Sequence, residues 1–257
     1  MRWFDAGVNC FDDRLPLAET LEAARTKGVD RMCVIATHQR DWDKCLAWAS
    51  QYPENLCCTI GVHPHYADGV SADWLTQLTH LANTHSVSAI GECGLDFNRM
   101  FSTQENQLHV FEQQLRLAAD LKLPVYLHER DAFDQQYQLL SEYHSTLVGG
   151  LVHCFTSHKE HLKAYLDLGF YIGITGWICD PKRGDALRDA LQYLPLDRLI
   201  LETDSPYLFP KGFKPRTRNN TPAHLPYIAQ QVADLKNITV EQVNQVSIIN
   251  TTQLLWR

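Results

Sequence analysis

The chain of 257 residues is 45% hydrophobic and 21% charged, the proportions of a globular protein large enough to bury a core without disulfide staples. Its net charge of −7 excludes a broad electrostatic grip on duplex DNA, which depends on neutralising phosphates, but permits a local hold on a few nucleotides. No signal peptide and no apolar stretch near the roughly 18 residues of a membrane span is read, so a cytoplasmic protein without membrane contact is expected.

Strand-like and helix-like segments alternate from the start. A strand is expected at 3–8, an amphipathic helix at 15–27 closed by Gly28, a β-branched strand at 31–36 and a helix from about 41 to 51. Strand 56–62, helix 72–85 and strand 89–95 follow. The best-patterned helix is 103–121, where Leu108, Phe111, Leu115 and Ala119 recur at helical spacing behind Ser102 or Thr103 as N-cap. Strand 124–128, helix 132–144, strand 150–154, helix 159–168, strand 170–174, helix 182–194 and strand 199–202 complete the alternation. Helices around 223–235 and 240–255 close the chain. Eight strands each followed by a helix make a TIM (β/α)8 barrel, here one domain over 1–257. An open doubly wound sheet ranks second, because no glycine-rich phosphate loop follows the first strand. The eight cysteines form no CxxC pair and read as reduced, mostly buried thiols.

Four apolar runs end in a side chain able to bind a metal: Glu92, His128, His153 and Asp204. In such barrels the site lies at the carboxyl ends of the strands, so the four are expected to converge on one metal site. Gly91 and Gly94 are expected to leave room around the Glu92 carboxylate. His63 and His65 follow the third strand, but Pro64 breaks it, so only His63 is expected to reach the site. Side chains alternate along a strand. Cys93 and Cys154, next to Glu92 and His153, are therefore expected to face away, leaving no thiolate ligand.

Asp204, at the very end of its strand, is placed to hold metal and take a proton from bound water, and Glu202 to orient a ligand histidine from behind. Lys211, Lys214, Arg216 and Arg218 form a basic loop in an acidic chain, where this fold commonly binds phosphate. Trp177, Lys182 and Arg183 could add a stacking surface and further charge. Histidine nitrogens with carboxylate oxygens suit Zn, Mn or Fe, and carboxylate-rich sites also hold Mg.

Together Gly61-Val62-His63-Pro64-His65, Gly91-Glu92-Cys93-Gly94-Leu95-Asp96, His153-Cys154-Phe155 and Glu202-Thr203-Asp204-Ser205-Pro206-Tyr207 resemble the TatD family of metal-dependent nucleases. The resemblance spans essentially the whole chain. It implies a TIM-barrel hydrolase that removes nucleotides from single-stranded DNA or RNA in the 3′ to 5′ direction. It further implies Glu92, His128 and His153 as metal ligands, Asp204 as ligand or base, and His63 as an active-site residue. One departure stands out. The family usually ends its first strand in Asp-x-His-x-His, and here it reads Asp5-Ala6-Gly7-Val8-Asn9. Without those imidazoles a loosely held, exchangeable metal is expected, Mg2+ ahead of Mn2+ or Zn2+, and histidines restored at 7 and 9 are expected to tighten it. A monomer is expected. Two rivals remain: amide or ester hydrolysis by the same metal-bound water, which leaves the basic loop unexplained, and a non-catalytic nucleic-acid or metal-binding protein, which leaves the converging acids unexplained.

Overall fold

The computed structural model describes residues 1–256. The eight expected strands all form and pair in parallel in chain order. They are β1 (Trp3–Val8), β2 (Val29–Ala36), β3 (Leu56–Ile60), β4 (Ala89–Asp96), β5 (Val125–Arg130), β6 (Gly150–Val152), β7 (Tyr171–Ile174) and β8 (Leu199–Leu201). The helices are α1 (Leu17–Thr26), α2 (Trp42–Gln51), α3 (Trp74–Thr84), α4 (Gln104–Leu121), α5 (Phe133–Tyr143), α6 (Lys159–Asp167), α7 (Asp185–Leu191), α8 (Leu225–Lys236) and α9 (Val240–Leu255). This is the (β/α)8 barrel. No helix among the described residues is long and apolar enough to cross a membrane.

Two apolar layers hold the barrel. The larger lies between strands and helices, and the smaller fills the interior with Phe4, Cys33, Ile35, Tyr126, Leu151 and Ile200. The end of α9 packs into that inner layer with Leu254 and Leu255, and Trp256 meets Phe4 edge-on at 5.4 Å. A capping box between Thr239 and Gln242 starts α9, and Thr103 caps α4 by accepting from the Asn106 N–H.

The elements fall short of their expected ends where side chains replace the ladder. β3 stops at Ile60, because the Val62 N–H and carbonyl bond to the Gln114 amide of α4 at 2.8 and 3.1 Å. β6 stops at Val152, and Cys154 beyond it turns to a left-handed φ of 46°. The expected helix 182–194 contracts to α7, because the N–H groups of Lys182 and Arg183 donate to Asp180 Oδ1 instead.

The seam between β8 and β1 closes with one backbone bridge, Val8 to Ser205, and a side chain. Asp5, fully buried, accepts from the Thr203 N–H at 2.8 Å, the Thr203 hydroxyl at 2.6 Å and the Gly7 N–H at 3.2 Å. The Asp204 N–H donates to the Gly7 carbonyl at 3.0 Å. Burial pushes the Asp5 carboxyl up to about 7, against the pull of its Thr203 bonds. The folded state thus holds a proton that the unfolded chain releases near pH 4, so this contribution to stability is full below that pH and is lost as pH rises through about 7. Asp5→Asn can keep the amide and hydroxyl contacts while removing the titration. Its denaturant midpoint should fall less between pH 5 and 8.5 than that of the parent, both metal-free. Parallel declines in the two proteins would show that Asp5 does not titrate in this range.

Candidate active site

β4 pairs with β5 at Ile90–Val125 and Gly91–Tyr126 and then resumes at Cys93–Leu127. Glu92 is the extra residue of a bulge, and bulges re-aim a side chain. The flanking glycines serve a different purpose from the one expected. Gly91 and Gly94 have φ of 131° and 134°, and a Cβ on either would strike the carbonyl of Tyr126 or His128. They let β4 lie against β5 rather than making room around the carboxylate.

Glu92 lies at a cavity of about 320 Å³ that Asn9, His63, His65, His128, His153 and Asp204 also line. Its Oε1 is 2.9 Å from His128 Nδ1, 3.5 Å from His63 Nε2 and 3.9 Å from His153 Nε2. Asp204, held at φ 52°, has Oδ1 3.6 Å from His153 Nε2 and accepts there from the Asn9 amide at 2.8 Å. Glu202 Oε2 lies 2.6 Å from His153 Nδ1, behind the ring. The four strand-end residues are brought together, but in two adjoining groups: His63, Glu92 and His128, and His153, Cys154 and Asp204. Within each, one donor atom per residue lies within 4.8 Å of the others, the spacing a shared cation needs.

Three expectations fail here. Pro64 does not lead His65 away: it opens a 3-10 turn, Pro64–Gly69, that brings His65 Nε2 to 2.7 Å from Asp96 Oδ2. Asp96, which the sequence pattern does not single out, is 2% exposed, lies 3.3 Å from His128 Nε2, and is held by Gln107 through its own N–H and carbonyl. Its one signal is its place at the end of the same run as Glu92. Cys154 does not face away either, because the strand has ended and its left-handed backbone turns the thiol to the cavity. Burial pushes that thiol up, with Asp204 adding, so it remains protonated. Finally, a histidine at 7 has no room: a Cβ there would fall on the Tyr126 hydroxyl and 2.9 Å from Glu202 Oε2. Gly7 cannot simply regain a ligand.

The charges balance locally. Burial opposes the Glu92 charge, but the surrounding imidazoles of His63, His153 and His128 hold it well below the usual carboxylate range. Burial likewise opposes a charge on His128, yet Asp96 and Glu92 raise it to about 9. His153 is raised well above its ordinary value against burial by Glu202 and Glu92. His63 differs: burial, helped by His128, lowers it to about 4. Its Nδ1 accepts from the His65 N–H at 3.1 Å, so the neutral ring carries its proton on Nε2, toward Glu92. His153 is held the opposite way, with Nδ1 against Glu202 and Nε2 facing the cavity. Imidazoles, carboxylates and a buried negative charge make a donor set that fits a divalent ion.

Lys211, Arg216 and Arg218 line a neighbouring groove of about 690 Å³ with Trp177 and Arg183, whereas Lys214 is exposed outside it. Trp177 and Leu208 line both spaces. Lys211 and Arg183 are both spent on Asp180, at 2.7 and 2.8 Å. Arg183 also stacks over Trp177 at 4.1 Å. Lys182 is exposed. Tyr66, and Tyr207 from the end of the Glu202–Tyr207 motif, line the cavity as well, though neither is expected as a site residue.

Residues 4–256 match the family of TatD related DNases. The chain is similar to the "3'-5' ssDNA/RNA exonuclease TatD" of Rahnella sp. (strain Y9602), 46% identical over 90% of this chain and 89% of that one. It is likewise similar to the protein of the same description from Pantoea sp. (strain At-9b), 42% identical over 98% of each. Among solved structures, YJJV, a TatD homolog from Escherichia coli k12, superposes with a TM-score of 0.89 at 28% identity, covering 100% of this chain and 98% of that one. An organophosphorus hydrolase from Deinococcus radiodurans, at 14% identity and TM-score 0.65 over 98% of this chain and 92% of that one, shares the fold.

Ligand imidazoles must be unprotonated, so a cation entering this site displaces protons. Loading metal-free protein with Mg2+ or Zn2+ at pH 7 should release protons from His128 and His153, seen in a pH-stat, and binding should tighten as pH rises toward about 9. Nitrogen NMR of the metal-free protein should show His63 neutral with its proton on Nε2. Loading without proton release would refute the charged state of the two rings.

Proposed function

The chain belongs to the TatD-related DNase family, and from that premise we propose that it removes nucleotides from the 3′ end of single-stranded DNA or RNA. The family and the histidine–carboxylate cluster make it a metal-dependent nuclease. The polarity and strand preference rest on the description of the Rahnella and Pantoea relatives. The observation that carries the reading is Glu92, a buried carboxylate ringed by imidazoles at the base of an open cavity.

In this reading Glu92, His128, His153 and Asp204 hold the ion. Mg2+ is favoured, because only two of these four ligands are imidazoles and Cys154 stays a thiol, with Mn2+ or Zn2+ as substitutes. When bound, a divalent ion supplies Lewis acidity and a water of lowered pKa. Asp204 receives the proton of the attacking water, its Oδ1 steadied by Asn9. His63, neutral with Nε2–H pointing inward, donates to a phosphoryl oxygen as charge develops there. Glu202 fixes the His153 ring from behind. Tyr66, Tyr207 and Trp177 give flat surfaces for bases. Arg216 and Arg218, with no carboxylate within ion-pair reach among the described residues, neutralise phosphates of the trailing strand and exposed Lys214 assists, while Lys211 stays paired with Asp180. Eight free cysteines suit a reducing cytoplasm. The enzyme is taken as a monomer formed of one domain over 1–257.

Digestion of end-labelled single- and double-stranded oligonucleotides, with Mg2+, Mn2+, Zn2+ or a chelator, tests the reading. Stepwise shortening from the 3′ end is expected, lost with chelator and absent on a circular single strand; efficient cutting of the circle would overturn it. Glu92→Gln should abolish turnover and lower metal retention, and Asp204→Asn should cut turnover by about 10²–10⁴ while oligonucleotide binding survives. Wild-type rates in either variant would remove that residue from the mechanism.

Arg216→Ala with Arg218→Ala should raise KM for oligonucleotides. The slope of log KM against log salt should become shallower by about 0.7 for each phosphate that is no longer neutralised. An unchanged slope would place the strand elsewhere.

A further inference from the structure

At its inward position near the mouth, Gly7, β1 has no side chain. The space is nevertheless filled. Tyr126 enters from β5, fully buried, and its hydroxyl stands where a Cβ at position 7 would be. That hydroxyl lies 2.9 Å from Glu202 Oε2, 2.8 Å from His153 Nδ1 and 3.2 Å from the Ala6 carbonyl of β1. A hydroxyl has one proton, and a carboxylate is the stronger acceptor. The proton goes to Glu202, and a lone pair of the oxygen remains for the His153 Nδ1–H. The His153 ring is thereby held from behind by two oxygens, with Nε2 turned to Glu92 and Asp204.

We infer that Tyr126 is a positioning residue that takes the place of a β1 side chain, closing that corner to any ligand from position 7 and fixing His153 through Glu202. Gly7 and Tyr126 form a complementary pair: the glycine is required because the hydroxyl is there. The inference rests on the reading of His153 as a metal ligand, and it assigns Tyr126 no contact with substrate. Partners behind a ligand histidine typically change metal affinity by about ten- to a hundredfold when removed.

The test is Mn2+ binding to metal-free protein, followed by the electron paramagnetic resonance of free Mn2+, together with thermal unfolding of the same samples. Tyr126→Phe keeps the ring and should fold, with Mn2+ bound about ten- to a hundredfold more weakly. A hydroxyl of merely structural importance would lower Tm and leave Mn2+ affinity unchanged, which would overturn the proposal. Gly7→His alone should lower Tm without tightening Mn2+. Combining it with Tyr126→Ala should recover Tm and bind Mn2+ more tightly than Gly7→His. Tighter binding by Gly7→His at an unchanged Tm would also overturn the proposal, and if that variant fails to fold the Tyr126→Phe measurement decides. A parent protein that binds no Mn2+ would overturn the metal reading itself, whereas normal parent binding with an unaffected Tyr126→Phe overturns this inference alone.

Discussion

A carboxylate almost cut off from water must be neutralised by its neighbours, and Glu92 imposes that demand on the whole barrel mouth. Solvent cannot screen it, so groups from other strands must come to it. His128 at the end of β5, His63 beyond β3 and His153 beyond β6 all approach one oxygen of this carboxylate. The bulge in β4 is what makes the approach possible, because a regular ladder would have aimed residue 92 along the strand face shared with residue 90. In the metal-free protein the charge is met by protons on His128 and His153. A metal ion replaces those protons rather than entering a void, so one arrangement of side chains serves both states.

What separates the histidines is the partner behind each ring. The backbone N–H of His65 can only donate, which commits His63 Nδ1 to accept and leaves its proton facing the site. The Glu202 carboxylate can only accept, which commits His153 Nδ1 to donate and frees Nε2 on loss of its outer proton. Two imidazoles on one cavity thereby take opposite roles without any difference in residue type. Backbone near the site is steadied by amide side chains reaching over from the helices: Gln114 on Val62, Gln107 on Asp96 and Gln136 on Leu95. Gln114 bonds backbone beyond the end of β3, whereas Gln107 and Gln136 bond the last residues of β4, whose pairing with β5 continues.

Most of the barrel is legible in the sequence because parallel strands covered by helices must be apolar along their length, and such runs stand out. Their polar last residues point to the site for the same reason. Reasoning along the chain fails where the backbone leaves the strand. Alternation misplaces Cys154 once the backbone turns left-handed, and Pro64 reads as an exit although it begins a turn that carries His65 inward. Gly91 and Gly94 stand out as special, but the cause is the neighbouring carbonyls of β5, which no local pattern reveals. Tyr126 carries no signal at all, and Asp5 only its place as the first residue of the altered strand-one motif. Their meaning lies in partners on the far side of the chain, Thr203 for Asp5 and Ala6, His153 and Glu202 for Tyr126. Closure of the barrel creates those contacts, and nothing in the spacing of the sequence announces them.

The acidity of the mouth sets the order of events in the proposed reaction. Glu92, Asp96, Glu129, Glu202 and Asp204 bring five carboxyl groups to one end of a chain whose net charge is already −7. A phosphodiester would be repelled by such a site unless cations stood within a few ångströms, because charges farther apart than about 8 Å are largely screened at physiological salt. Two imidazolium rings offset only part of that charge, and they are lost when the ion binds. In this reading the ion, with Arg130 on the cavity wall, supplies the positive charge facing the scissile phosphate, while Arg216 and Arg218 serve phosphates farther along the strand. Long-range attraction contributes little in such an arrangement. Affinity comes from local contacts at the groove and from flat aromatic surfaces at the rim, which favours a strand whose bases are free to leave the stack over a duplex whose bases are not.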